Sequence, residues 1–184
     1  MRKCAFILPY YGKFGNYFQL FLNSCGTNAD YDWLVFTDDH TEYDYPVNVH
    51  VHYESFKNMQ ERVQHKFDFP VVLNAPYKLC DLKPMYGYLF SEYLQDYAHW
   101  GYCDCDMVFG RLDRFITDAM LEDYDKLFVL GHCSILKNNN ENNTRFMLPL
   151  NGRELYKEVL QSDRIFTFDE SYLPTNVNMI YKEH

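Results

Sequence analysis

Apolar runs and a helical repeat alternate at the start of the chain, and their order limits the fold to a small group of architectures. Residues 4–8 (Cys-Ala-Phe-Ile-Leu) and 33–36 (Trp-Leu-Val-Phe) are uninterrupted apolar runs, which are typical of strands buried on both faces. Between them, apolar side chains recur at helical spacing from Tyr17 to Cys25. This strand–helix–strand order predicts a parallel sheet with helices on both of its faces.

The rest of the chain continues the alternation of strands and helices. We predict a more exposed strand at 47–51, helices at 56–67 and 112–120, a long amphipathic helix at 82–97, a strand at 99–102, a strand pair at 127–130 and 135–136, a polar loop at 137–143 and a last helix at 155–160. Pro84 fits the long helix only because it falls in the first turn. The chain of 184 residues has no repeat or linker. It therefore predicts one α/β domain over residues 1–184, with a mostly parallel, Rossmann-like sheet flanked by helices.

Charge and composition exclude several classes of partner. The chain has 17 basic and 26 acidic residues, a formal net charge of −9 and no basic cluster, so nucleic acid is excluded as the main partner. No apolar run approaches the length of a transmembrane segment or of a signal-peptide core. None of the six cysteines forms a C-x-x-C pair. We expect reduced thiols and a location in the cytoplasm, which includes the inner face of the membrane.

Asp104 and Asp106 are the leading candidates for a metal site. They stand one residue apart directly after the apolar strand predicted at 99–102. Carboxylate oxygens are the ligands that Mg²⁺ and Mn²⁺ prefer, and a cation with few protein ligands keeps positions open for phosphate oxygens. Zinc is less suitable, because Cys103 and Cys105 lack further thiolates or a histidine at ligand spacing. Ordinary turn or cap aspartates remain the structural alternative.

Four other segments carry polar side chains next to apolar runs. Asp38 and Asp39 follow the second strand and could accept hydrogen bonds from a base or ribose, or simply form a polar turn. Lys83 could pair with a diphosphate or with the carboxylates of the site, and His132 lies between two apolar segments. Asp169 and Glu170 follow residues 165–168 and could act as a general base toward an acceptor hydroxyl, or could cap the next element.

Five segments in this order resemble a known family. They are Pro-Tyr-Tyr-Gly at 9–12, Trp-Leu-Val-Phe-Thr-Asp-Asp at 33–39, Cys-Asp-Leu-Lys-Pro-Met-Tyr-Gly at 80–87, Asp-Cys-Asp at 104–106 and Gly-His-Cys-Ser-Ile-Leu-Lys-Asn at 131–138. Together they resemble a family of bacterial GT-A-type glycosyltransferases associated with cell-surface polysaccharide synthesis. The resemblance covers almost the whole chain, and the segments at 80–87 and 104–106 are its most specific parts.

The resemblance implies an activity and a set of site residues. The implied donor is a nucleotide-sugar, most often a UDP-sugar, held through its diphosphate by Mn²⁺ or Mg²⁺, and the implied acceptor is a glycan or polysaccharide. Asp104 would contact the ribose or the metal, and Asp106 would ligate the metal. Lys83 would lie near the donor, and an inverting enzyme would use Asp169 or Glu170 as its base. The nucleoside pocket would be lined by Pro9, Tyr10, Tyr11 and Asp38.

One departure from this family and two rival functions complete the expectations. GT-A enzymes usually carry further C-terminal sequence, so we expect either a fragment or a short homologue with an open acceptor site. A haloacid-dehalogenase-type phosphohydrolase also uses an Asp-x-Asp motif, with Asp104 as nucleophile, although its strand normally lies near the N-terminus. A non-catalytic nucleotide-sugar-binding domain is the other rival.

Overall fold

The computed structural model describes residues 2–184, and its strands and helices alternate along the chain. The strands are β1 (Arg2–Tyr10), β2 (Tyr31–Thr37), β3 (Val49–Tyr53), β4 (Tyr97–Cys103), β5 (Lys126–Leu127) and β6 (Cys133–Lys137). The α-helices are α1 (Phe18–Gly26), α2 (Phe56–His65), α3 (Tyr86–Leu89), α4 (Asp118–Asp123), α5 (Asn140–Thr144), α6 (Leu155–Leu160) and α7 (Val177–Glu183). Short 3-10 helices cover Pro76–Met85, Ser91–Tyr93, Leu112–Arg114 and Arg145–Met147.

The strands form one six-stranded mixed sheet in the order β3-β2-β1-β4-β6-β5. The pairs β1–β2, β2–β3 and β1–β4 are parallel, whereas β4–β6 and β5–β6 are antiparallel. The predicted class is therefore confirmed: this is one α/β domain with a Rossmann-like sheet flanked by helices. The carboxyl ends of β1, β2 and β4 meet at one edge of the sheet, where ligands gather in folds of this class.

Side chains of alternate residues in the central strands enter two separate cores. On one face, Ala5 and Ile7 join a cluster with Trp100 and with apolar residues of α2, α3 and α6. On the other face, Cys4 and Phe6 join a cluster that includes residues of α1 and α4. The sheet is buried on both faces, and this explains why its central strands are continuously apolar in sequence.

The prediction of one long helix at 82–97 is wrong. A 3-10 helix covers Pro76–Met85, α3 is only four residues long, and β4 already begins at Tyr97. Pro84 lies inside the 3-10 helix, where it cannot donate a backbone hydrogen bond. The helix-like spacing of apolar residues arises because successive short turns bury Met85, Leu89 and Leu94 in the same core.

Several smaller predictions also need correction. The strand predicted at 127–130 ends after Leu127, because Phe128 has a φ of 69° and turns the chain out of the sheet. The polar loop predicted at 137–143 contains α5, whose first turn is capped by the side chain of Asn139. The helix predicted at 112–120 is divided into Leu112–Arg114 and α4. Helix α7 was not predicted at all. Within residues 2–184, no helix combines the length and apolar content needed to cross a bilayer.

Candidate functional site

A cleft of about 650 Å³ opens at the carboxyl ends of β1 and β4. Four segments line it: the loop after β1, the 3-10 helix of Pro76–Met85, the turn after β4 and residues 165–172. The residues from the sequence analysis that it brings together are Pro9, Tyr10, Tyr11, Lys83, Asp104, Asp106, Asp169 and Glu170. The topology of the sheet thus collects side chains that are far apart in sequence around one concave surface.

Lys83 lies at the centre of the cleft and bridges two of its walls. Its Nζ donates to Asp104 Oδ1 at 2.7 Å and to the carbonyl oxygen of Gly131 at 2.9 Å, and it lies 3.3 Å from Asp169 Oδ2. Burial disfavours the charge on this lysine, but Asp169 and Asp104 outweigh that effect and raise its pKa above the usual value. Lys83 therefore remains an ammonium group and ties the turn after β4 to the segment that follows Phe168.

Asp169 and Glu170 also line the cleft, and Asp169 shares the Lys83 ammonium with Asp104. Asp169 is 3% exposed, and this burial raises its pKa to about 6 even though Lys83 favours the charged form. Glu170 Oε2 is buried, and it accepts no hydrogen bond from any donor in residues 2–184. One buried carboxylate is thus paired with a cation, and its neighbour has a free acceptor atom.

Gly131 provides the space for these two carboxylates. A Cβ atom at this position would lie 2.2 Å from Asp169 Oδ2 and 2.7 Å from Glu170 Oε1. Any larger residue would push at least one carboxylate out of place. The absence of a side chain therefore allows the Gly131 carbonyl and the Asp169 carboxylate to approach the same ammonium group.

Asp104 and Asp106 differ in their surroundings. Asp104 follows β4, its backbone N–H donates to the His132 carbonyl at 3.0 Å, and its side chain is 39% exposed and paired with Lys83. Asp106 is exposed, and its carboxylate forms no ion pair with any residue in the described part of the chain. Partial burial and the nearby Cys105 and Asp106 raise the pKa of Tyr17, which places Asp106 on the side of the β1 loop.

The donor atoms here fit a hard divalent cation only if a ligand completes its coordination. Across residues 2–184, no three His, Cys, Asp or Glu side chains form a metal-binding group. Asp104 and Asp106 offer carboxylate oxygens, and a cation shared with a diphosphate needs few protein ligands. The chemistry of the donors is thus compatible with Mg²⁺ or Mn²⁺ bound together with a phosphorylated ligand.

The thiols around the site are unsuitable for zinc. Burial is the main reason that the pKa of Cys105 and that of Cys80 are raised to about 12, and it raises the pKa of Cys103 well above its usual value. These cysteines are neutral thiols that pack between strands and the cleft wall. His132 is exposed and does not line the cleft.

The last residue of β1, Tyr10, and the first residue of the loop after it, Tyr11, line the cleft, but Asp38 lies outside its lining. Tyr11 donates its hydroxyl hydrogen to Glu54 Oε1 at 2.6 Å, which fixes its ring against the cleft wall. Asp38 is exposed, and its Oδ1 accepts a hydrogen bond from the Gly12 N–H at 2.7 Å. Because Gly12 has a φ of 100°, this carboxylate stabilises a turn that favours glycine.

Sequence reasoning missed several residues of the cleft. Exposed tyrosines line it at positions 17, 77 and 172. Beside them, the carbonyl oxygen of Gly131 accepts a hydrogen bond from Lys83. High tyrosine content was the only signal for the rings, and it did not single out any position. A backbone carbonyl leaves no signal in the sequence at all.

The fold and the cleft define a Rossmann-like α/β protein with acidic residues around a central lysine. The chain matches a family described as a family of unknown function (DUF6625) over residues 6–184, and it belongs to that family. This corrects the family suggested by the motifs, because the family that matches is one of unknown function and not the GT-A-type bacterial glycosyltransferases. No curated protein and no solved structure matches the chain.

Proposed function

We propose that the protein is a metal-dependent glycosyltransferase that moves a sugar from a nucleotide-sugar, most simply a UDP-sugar, to a glycan or polysaccharide acceptor. The observation that carries the proposal is the Lys83 bridge, which joins the Asp-x-Asp turn to the Asp169–Glu170 pair inside one cleft. A sugar transfer needs a site for the leaving diphosphate, and an inverting transfer also needs a base for the acceptor hydroxyl. Residues suited to both tasks line this cleft.

The donor half of the cleft is the wall formed by the β1 loop and the turn after β4. Asp104 and Asp106 would hold Mg²⁺ or Mn²⁺, which when bound neutralises negative charge on the diphosphate. The ammonium of Lys83 lies beside Asp104, where it would hold this carboxylate in place and reduce its repulsion of the diphosphate. Pro9, Tyr10 and Tyr11 line the same wall and would contact the nucleoside, while Asp38 would act through the loop that it stabilises.

The acceptor half of the cleft contains the two carboxylates after Phe168. In this proposal Glu170, which lines the cleft beside Asp169, accepts the proton of the acceptor hydroxyl. Asp169 orients Lys83, because its Oδ2 lies 3.3 Å from the ammonium group. Holding acceptor and donor in fixed positions next to such a base supplies much of the rate enhancement in group transfer. We place this activity in the cytoplasm, including the inner face of the membrane.

The test is a thermal-shift screen of nucleotides with and without metal. UDP at about a hundred times its dissociation constant should stabilise the fold by about 2.7 kcal/mol, and only when Mn²⁺ or Mg²⁺ is present. Asp106→Ala should remove the response, because one of the proposed metal ligands is lost. Asp123→Ala is the matched control, since Asp123 is an exposed acid outside the cleft. An unchanged unfolding midpoint under every condition would contradict the proposal.

Two further assays separate the rival functions. Hydrolysis of a generic phosphate monoester that depends on Asp104 would support the haloacid-dehalogenase-type phosphohydrolase instead. Binding of UDP and metal without release of sugar from any of a panel of UDP-sugars would support a non-catalytic nucleotide-sugar-binding domain.

A further inference from the structure

Lys78 and Asp81 form a fully buried ion pair on the 3-10 helix of Pro76–Met85. Lys78 is 3% exposed and Asp81 is 0% exposed, and Lys78 Nζ lies 2.9 Å from Asp81 Oδ2. Burying two charges costs several kcal/mol for each ion, and their attraction offsets this cost only when the remaining donors and acceptors are satisfied. The other contacts of the pair therefore indicate what it does.

All of those contacts go to one distant segment of the chain, residues 164–168. Asp81 Oδ2 accepts the backbone N–H of Phe166 at 2.9 Å, and Asp81 Oδ1 accepts that of Phe168 at 3.0 Å. Lys78 donates to the carbonyl oxygen of Arg164 and lies 5.0 Å from the centre of the Phe166 ring. A buried carboxylate and a buried ammonium are thus used to fix the backbone of five consecutive residues.

The segment that they hold is strained and leads directly into the cleft. Thr167 lies between the two anchored N–H groups and has a φ of 51°, a left-handed conformation that is unfavourable for a residue other than glycine. Thr167 lines the cleft, and Asp169 and Glu170 follow immediately. Strain of this kind persists only where surrounding contacts determine the backbone.

We propose that Lys78 and Asp81 are positioning residues that hold the 164–168 backbone so that Asp169 and Glu170 reach Gly131 and Lys83. The same 3-10 helix carries Lys83, so one element sets both ends of the Lys83–Asp169 bridge. The catalytic meaning of this arrangement rests on the proposed function. The positioning itself does not, because it is a statement about where two carboxylates lie.

The test follows the titration of Asp169 by carboxyl ¹³C NMR in the wild type and in Asp81→Asn. An asparagine cannot accept both backbone N–H groups and the lysine, so the segment should loosen and Asp169 should enter solvent. We expect the pKa of Asp169 to fall from about 6 in the wild type to about 4, the ordinary value for an aspartate. A role in global stability alone would lower the unfolding temperature and leave this titration unchanged.

Asp32→Asn is the matched control. Asp32 is also 0% exposed, pairs with Arg2 and accepts the Tyr97 hydroxyl at 2.7 Å, but it lies at the opposite end of the sheet. It should lower stability without moving the titration of Asp169. If Asp81→Asn does not fold, the double variant Lys78→Met/Asp81→Asn removes both buried charges and still leaves one of the two N–H groups without its acceptor. Any folded variant at Asp81 that keeps the wild-type titration of Asp169 would overturn the proposal.

The outcome is separable from that of the proposed function. The titration needs neither nucleotide nor metal, whereas the thermal-shift screen needs both. Suppose that the pKa of Asp169 is lowered in Asp81→Asn, and that UDP with Mn²⁺ leaves the unfolding midpoint of the wild type unchanged. This combination would support the positioning role and contradict the glycosyltransferase.

Discussion

At the scale of single residues, Lys83 shows how a protein of formal net charge −9 holds a lysine charged among carboxylates. An ammonium group has three hydrogens, and the structure supplies three oxygens, from Asp104, Asp169 and Gly131. The two carboxylates keep the lysine charged despite its burial. Lys83 is therefore a fixed cation whose hydrogens are all used to join the carboxylates of Asp104 and Asp169 to the Gly131 carbonyl.

Asp169 gives the clearest pH dependence at this scale. Its folded-state pKa of about 6 lies above the unfolded value, so the native state binds this proton more tightly. Its contribution to stability is fully present below about pH 4 and is lost as the pH rises through 6. The free energy of unfolding of Asp169→Asn should therefore rise relative to that of the wild type between about pH 4 and pH 6, by up to roughly 3 kcal/mol, and this difference should stay constant above pH 7.

Chemical denaturation at a series of pH values would measure this difference. Asp123→Asn is the control, because Asp123 is exposed and its difference from the wild type should not vary with pH in this way. A flat difference between Asp169→Asn and the wild type from pH 4 to 7 would show that the pKa of Asp169 is not raised.

At the scale of elements, the sequence predicted those parts whose signals are local. β1, α1, β2, α2 and α6 all lie where continuous apolar runs or helical repeats predicted them. The helix at 82–97 failed because a repeat of buried residues can come from several short turns as well as from one helix. α7 was not predicted. The role of the Lys78–Asp81 ion pair could not be predicted either, since Asp81 meets its partners 85 and 87 residues further along the chain.

The site followed the same rule. The acidic residues at strand ends were visible in the sequence, because each follows an apolar run. The sequence predicted that Lys83 could pair with carboxylates of the site, but not which ones, since the Lys83–Asp104 and Lys83–Gly131 contacts join residues 21 and 48 positions apart. A single sequence indicates which residue types can do the chemistry, and the topology of the sheet decides which of them meet.

Arg62 links three elements and offers a prediction at this scale. Its guanidinium forms two hydrogen bonds with Glu54, at 2.7 and 3.0 Å, and lies 4.9 Å from the centre of the Phe90 ring. Glu54 in turn accepts the hydroxyl of Tyr11 in the cleft wall. Arg62→Met leaves the half-buried Glu54 without its cation, so it should destabilise the fold by about 3 kcal/mol.

Urea denaturation would measure this loss. Arg114→Met is the matched control, because Arg114 is exposed, and it should change the free energy of unfolding by less than about 0.5 kcal/mol. Equal losses in the two variants would show that the Arg62–Glu54 pair contributes nothing beyond an ordinary surface contact.

At the scale of the whole molecule, the sheet separates two groups of charged side chains. The buried Asp32 pairs with the exposed Arg2 and accepts the Tyr97 hydroxyl at the amino ends of the central strands, and the cleft lies at their carboxyl ends. The two groups sit at opposite edges of the same apolar sheet. A ligand that enters the cleft should therefore change the carboxyl ends of the strands directly. The amino ends of the same strands then show how much of any change is global.

Amide hydrogen exchange, followed by mass spectrometry of peptides, tests this division. Without ligand, β1, β2 and β4 should be the slowest segments, because each is paired on both sides with a strand of at least five residues. The two-residue edge strand β5 should be among the fastest strands. UDP with Mn²⁺ should slow exchange at residues 9–14, 104–106 and 167–170, which surround the cleft. Peptides from the amino-terminal halves of β1, β2 and β4 should not change. Because a ligand that binds only the native state also raises global stability, any slowing there should match the shift in the unfolding midpoint. Local slowing confined to the amino-terminal edge would place the ligand at the wrong end of the sheet and contradict the assignment of the cleft.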